Sequence, residues 1–444
     1  MNLRLKMFAF LVFAFTLFGI LWRPFGFKIW VYSSLGAVVI LAFKLLDLHQ
    51  VGVIFMLVWD SCLLLLCLII ISFCLEALGF FEWLIFYTLK FCAKSPINSN
   101  EINIHAATLF VILCVLCAVI SGILANDGAI LIFTPLILGV FLRAKNADKR
   151  LIIAFLFAVG FICDTSSNAL LISNLTNVIT ANFHHLAFND FAKTMFLPNL
   201  SAFLCALMLF LLVFRKALFS TISFRTPSKP KLEGKFFVFY LVLLGVFVMS
   251  FFISSRFNVP LSLNCLVFAL FLLVILWSKS RTKAAKTLKS APFGIIIFVF
   301  TLFIVVQALH KIDIQSSVNA VFNALCQSQI SSIFGTGLIS AFLSSIFNNL
   351  PATLFTNSLI SDFFADEASA KLLHLKQIFI YANLLGANIG SKLTPIGSLC
   401  TLLWLSLLAK RGLKMSFKKY LSLSLIFTLP VLLCALFALY LIQS

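Results

Sequence analysis

Ionisable and hydrogen-bonding residues gather at four places in this 444-residue chain, each inside a stretch that is otherwise apolar. LANDGAILIFTP (124–135) carries Asn126 and Asp127, and CDTSSN (163–168) with SNLTN (173–177) carries Asp164, Thr165, Ser173, Asn174 and Asn177. IFNNLPATLFTN (346–357) holds Asn348 and Asn349, and NIGSKLTPIGS (388–398) holds Asn388, Lys392, Thr394 and Ser398. The amides and hydroxyls both donate and accept, which suits a neutral, hydroxylated solute. Asp127 and Asp164 are the acids most deeply embedded in these motifs. A charged Asp at bilayer depth costs about 2.5–3.5 kcal/mol, so the two are expected to carry a proton, with capping of a half-helix as the structural alternative. Lys392 is the only Lys or Arg in either polar break and stands opposite Asn168 of the other. It either balances Asp127 or Asp164 or snorkels to an interface.

The elements that must position these groups are spans. Hydrophobic residues make up 62% of the chain and charged ones 11%, with 53 Phe, which indicates a polytopic membrane protein rather than a soluble core. The N-terminal MNLRLKMFAFLVFAF is read as a retained first helix, because WRPFGFK leads into a second span without a small-residue cleavage site. A net charge of +19 would suggest nucleic acid in a soluble chain. Here the basic residues collect in RAKNADKR (143–150), the segment 215–235, KSRTKAAKTLK (279–289) and KRGLKMSFKK (410–419), which mark the cytoplasmic side. The 279–289 run reads as a solvated loop, with anionic lipid or a partner as the other reading. Glu76 and Glu82 read as interfacial, and Asp60 lies in apolar surroundings. The twelve Cys follow no disulfide or zinc spacing. Cys114, Cys117 and Cys163 are expected to pack, and His184–His185 to lie in an interfacial arm and hold no metal.

The four motifs pair. LANDGAILIFTP matches IFNNLPATLFTN at an offset of 222, setting Asn126 against Asn348, and the two polar breaks match at a nearby offset. The expected fold is therefore an all-α polytopic membrane protein of two inverted repeats, each of five transmembrane helices with a re-entrant hairpin and a broken helix. The first repeat is 1–223, with its hairpin at about 103–143 and broken helix at about 150–181; a cytoplasmic linker is 224–235. The second is 236–444, with its hairpin at about 330–362 and broken helix at about 376–410. Five crossings per repeat put all four basic loops on one side and both termini outside, leaving Arg4 and Lys6 on the outer face. At the hairpin tips Gly128 is expected to permit the tight turn, and Pro351 to sit in a first helical turn.

GFFEW (79–83), LANDGAILIFTP, GFICDTSSNALLISNLTNVI (160–179), AFLSSIFNNLPATLF (341–355) and GSKLTPIGSLCTLLWL (390–405) resemble the bacterial arsenite/antimonite efflux permeases of the ion-transporter superfamily, over nearly the whole chain. The resemblance implies export of trivalent arsenic or antimony hydroxide across the cell inner membrane, driven by proton entry, in some members with a partner ATPase. No cofactor beyond the proton motive force is implied. Cys163 and Ser391 depart from the family pattern, the latter replacing an expected proline. The short linker argues against ATPase docking, and a homodimer is compatible with the pattern. Two other classes stand beside this reading: a sodium/proton antiporter or carboxylate transporter on the same scaffold, which Lys392 opposes, and an intramembrane aspartyl enzyme, which lacks its Gly-x-Gly-Asp setting.

Overall fold

A computed structural model describes residues 3–93, 101–146, 148–226, 229–230, 233–257, 259–309, 315–365, 370–413 and 415–443. The side chains of Arg4 and Lys6 lie outside what it describes, as do Lys414 and parts of the 224–235 segment. The first part of the chain forms α1 (Leu3–Trp22), α2 (Ile29–Ala42), α3 (Leu48–Ala77), α4 (Phe80–Cys92), α5 (Ala106–Leu124), α6 (Asn126–Phe141), α7 (Lys149–Thr165), α8 (Leu175–His184), α9 (Phe188–Val213) and the short α10 (Arg215–Leu218). The second forms α11 (Gly234–Ser254), α12 (Leu261–Lys279), α13 (Arg281–Ser290), α14 (Gly294–Leu309), α15 (Gln315–Leu325), α16 (Thr336–Phe347), α17 (Asn349–Phe363), α18 (Ala370–Gly390), α19 (Leu399–Lys410) and α20 (Phe417–Gln443).

The chain is a polytopic α-helical membrane protein. Among the described residues, seven helical stretches are long and apolar enough to cross a bilayer: 48–77, 106–124, 188–213, 234–257, 261–279, 281–309 and 417–443. Their outward faces remain apolar. On α11, Val238, Val242, Val246, Met249 and Ile253 form an exposed stripe at helical spacing, while Phe237, Tyr240, Leu244, Phe247 and Phe251 turn inward. Such a surface suits lipid rather than water. One expected span is short. The 14 residues of α2 rise only about 21 Å, less than the roughly 30 Å of hydrocarbon.

Two bundles can be followed through the packing. In one, α3 lies against α12 and α14, and α14 also lies against α2. In the other, α5 packs on α7, α16 on α18, and α9 along α20. The α16–α18 contact is close because both helices present small residues. A Cβ on Gly386 would stand 2.1 Å from the Gly337 carbonyl oxygen, and one on Gly390 2.1 Å from the Ala341 Cβ.

The structure adds one element that the apolar pattern hides. Strands β1 (Glu101–His105) and β2 (Thr221–Arg225) pair antiparallel, with Ile104 opposite Ile222. Phe224 and Arg225, expected at the start of a linker, therefore belong to a sheet. Lys145 pairs with Glu101, and Asn146 bonds the β2 backbone, tying the loop after α6 to that sheet.

Candidate functional site

Each hairpin tip is a single residue. α5 ends at Leu124 and α6 begins at Asn126, with Ala125 between them at φ 63° and ψ 151°. α16 ends at Phe347 and α17 begins at Asn349, with Asn348 between them at φ 75° and ψ 148°. Two predictions change here. Gly128 is not the turn residue: it lies inside α6, where a Cβ would stand 2.8 Å from Ser72 Oγ, so its small size serves the approach of α3. The turn residues are Ala125 and Asn348, an offset of 223, which places Asn126 in register with Asn349 rather than Asn348. Pro351 falls in the first turn of α17, as expected.

The polar breaks stop and restart a helix. α7 ends at Thr165, a 3-10 turn spans Leu171–Ser173, and Asn174 caps α8 by accepting from Thr176 N. α18 ends at Gly390, a 3-10 turn spans Ser391–Leu393, and extended Ser398 precedes α19. The second half-helix of each break packs on the second limb of the other hairpin, α19 on α6 and α8 on α17. The N-termini of α6, α8, α17 and α19 consequently meet. Between them is a cavity of about 20 Å³, walled by Asn126, Asp127, Asn174, Thr176, Asn349, Ser398 and Cys400, with Ile295 of α14 closing one side. Helix N-termini carry free N–H groups and about half a positive charge each, so the cavity favours acceptor oxygens. Ser398 Oγ has no hydrogen-bond partner among the described residues. The volume holds about one water.

Of the predicted residues, Asn126, Asp127, Asn174, Asn349 and Ser398 line this cavity. Asp127 is half-buried and faces Cys400. The others form the shell around it. Asn126 Nδ2 donates to Asp164 Oδ1 at 2.9 Å and Asn126 Oδ1 accepts from Asp127 N at 2.9 Å. Asp164 Oδ2, which has no hydrogen-bond partner among the described residues, stands 3.7 Å from Lys392 Nζ, and both side chains are at most 1% exposed. Lys392 therefore does not snorkel. Its ammonium also donates to Asn388 O at 2.9 Å and lies 5.5 Å from the Phe161 ring centre.

Asn388 joins the breaks: Nδ2 donates to Asn168 Oδ1 at 2.7 Å and to Asn177 Oδ1 at 2.9 Å, while Oδ1 accepts from Thr176 at 2.6 Å. Ser173 and Asn177 donate to Ser167 O, bracing the first break. Asn348 Nδ2 donates to Ile396 O at 2.9 Å and Thr394 Oγ1 to Ser345 O at 2.5 Å, bracing the second. Thr165 turns back to Phe161 O and does not reach the cavity.

Sequence reasoning missed Thr176 and Cys400 on the cavity wall. It also missed a buried file in which Ser340 and Thr356 donate to Asn383 Oδ1, Asn383 to Asn357 and Asn357 to Thr180. The signal was available, since Asn383 and Asn357 interrupt the apolar runs IYANLLG and LFTN. Among the described residues no group of three His, Cys, Asp or Glu side chains is disposed to hold a metal ion. His184 ends α8 and His185 follows with φ 54°. Cys114, Cys117 and Cys163 are all buried, with the thiols of Cys117 and Cys163 in contact. Asp60 is buried too, accepting from Ser262 N at 3.2 Å and from Asn182 at 3.3 Å.

A family model described as arsenical pump membrane protein matches residues 8–443. The chain is 32% identical over 432 residues to the arsenical pump membrane protein of Escherichia coli strain K12, covering 96% of this chain and 97% of that one. The same identity and coverage relate it to the arsenical pump membrane protein of Yersinia enterocolitica. A 46 kDa membrane protein of Mycobacterium leprae is 26% identical over 386 residues, 84% of this chain and 82% of that one.

Proposed function

The chain belongs to the arsenical pump membrane protein family, and from that premise we propose that it is a secondary active transporter exporting trivalent arsenic and antimony, as neutral hydroxides, across the bacterial inner membrane by proton antiport. The relatives' shared name supplies the arsenical. The cavity supplies the chemistry: four helix N-termini present donors to hydroxyl oxygens, while Ser398, the asparagines and Asp127 can take hydrogen bonds from the solute. That convergence on one carboxylate-bearing cavity is the observation that carries the reading.

The architecture fits two inverted repeats, 1–223 and 236–444, with ten spans and two re-entrant hairpins. Support comes from packing that exchanges between the halves, α3 on α12 with α14 on α2, and α6 on α19 with α17 on α8. The matched positive-φ tips at Ala125 and Asn348 agree with it.

Coupling follows from competition. Ionised Asp127 accepts hydrogen bonds from the solute's hydroxyls, and protonated Asp127 loses most of that capacity, so proton and solute exclude one another. Asp164 acts through geometry. Its charge holds the α5–α6 tip, through Asn126, and the second break, through Lys392, to the first break. A proton on Asp164 weakens both attractions, and the tips can then part to admit a solute larger than the single water the closed cavity holds. The proton motive force is the sole energy source in this scheme, with no ATPase required.

Metalloid accumulation in cells lacking their own exporter tests the reading. Expression of this protein should lower accumulated arsenite and antimonite, and a protonophore should abolish the difference. Equal accumulation with and without the protein, or export indifferent to the protonophore, would refute it.

A further inference from the structure

A second cavity, of about 1240 Å³, lies away from the four helix tips, among α3, α4, α6, α12 and α13. Five basic side chains, Arg143, Lys229, Lys279, Lys283 and Lys286, line it against two acids, Glu76 and Glu82. Its other walls are apolar, including Phe73, Phe86, Leu136 and Leu276. Leu276 and Lys279 are three residues apart on α12, and Phe73 lies four residues before Ala77 on α3, which puts apolar wall and basic end about 5–6 Å apart along those helices. Two of the ammonium groups are held in place. Lys283 Nζ donates to Ala77 O at 3.3 Å, and Lys279 Nζ lies 4.1 Å from the Phe236 ring centre and 3.3 Å from Tyr240 Oη. Five cations facing two acids leave an excess of positive charge that an anion complements, and a wall of aromatic and aliphatic side chains distinguishes a lipid from a free anion.

We propose that this cavity binds an anionic phospholipid, its phosphate among Lys279, Lys283 and Lys286 and its acyl chains against Phe73, Phe86 and Leu136. The basic end belongs to the loops assigned to the cytoplasmic face, where such lipids concentrate. Because α6 forms one wall and its N-terminus carries Asn126 and Asp127, a bound lipid also restrains the first hairpin.

Native mass spectrometry of the full chain in detergent, titrated with phosphatidylglycerol or phosphatidylcholine, tests this. The wild-type protein should retain phosphatidylglycerol at least tenfold better. The double variant Lys283→Gln/Lys286→Gln should lose that retention by on the order of 30-fold, given the attraction expected per lysine, whereas Lys418→Gln/Lys419→Gln, at exposed positions off the cavity, should keep it. Equal retention of the two lipids by the wild type, a result that needs no variant to fold, overturns the proposal. So does equal loss in both double variants, or displacement of phosphatidylglycerol by equimolar inorganic phosphate.

Discussion

Asp164 and Lys392 come from different polar breaks, 228 positions apart in the chain, and meet as an ion pair of 3.7 Å with both side chains withdrawn from solvent. Desolvating two charges is costly, and removing one partner of such a pair leaves the other uncompensated, at about 3–5 kcal/mol. Lys392→Met should therefore lower thermal stability in detergent by that order, and Asp164→Asn likewise. The double variant should recover most of the loss, since neither charge then remains buried alone. Strictly additive losses would mean that the two groups do not stabilise one another.

The hairpin tips should respond oppositely to glycine. Ala125 holds φ 63° and ψ 151°, a region nearly confined to glycine and costing about 1–3 kcal/mol. Ala125→Gly should raise stability by about 1 kcal/mol after the entropic cost of glycine. Asn348 shares that backbone, but its amide donates to Ile396 O and accepts from Leu350 N. Asn348→Gly should accordingly lose about 1 kcal/mol. Thermal unfolding of the two variants side by side decides it.

These tips show what a sequence can and cannot reveal. Asn126, Asp127, Asn348 and Asn349 were visible because polar residues in an apolar run have few structural excuses. Which residue makes the turn was not visible. Glycine is the natural candidate for a strained backbone, yet the chain spends Gly128 on the approach of α3 at Ser72 and places alanine at the positive φ. Pairing between segments was equally hidden. Lys392 could have answered either acid, and only the folding of the second break onto the first selects Asp164. The short strand EINIH alternates polar and apolar residues, but its partner TISFR lies 120 residues away, beyond the reach of local pattern. The buried file through Asn383 went unnoticed because Asn383 and Asn357 sit mid-helix, away from the breaks and tips, and their pairing joins separate segments of the chain.

The cysteines should be dispensable. Cys114, Cys117 and Cys163 are buried together beside the first break, but hydroxyls and amides suffice for a trihydroxide, and an exporter must release its solute quickly. Serine replacements at all three should retain metalloid resistance in growth assays. Loss of resistance in Cys163→Ser at normal expression would instead indicate thiol coordination of the metalloid.

The central claim is that a carboxylate at the meeting of the helix tips exchanges proton for solute, and everted membrane vesicles measure it most directly. In that geometry export appears as uptake, which can be driven by a proton gradient or allowed to run downhill. Asp127→Asn keeps the cavity's size and its donors but cannot ionise. It should sustain downhill exchange of arsenite while losing proton-driven accumulation, and Asp164→Asn should show the same loss if the tips are held through its charge. Accumulation by Asp127→Asn at the wild-type rate, with unchanged dependence on pH, would contradict the account and leave that carboxylate a helix cap.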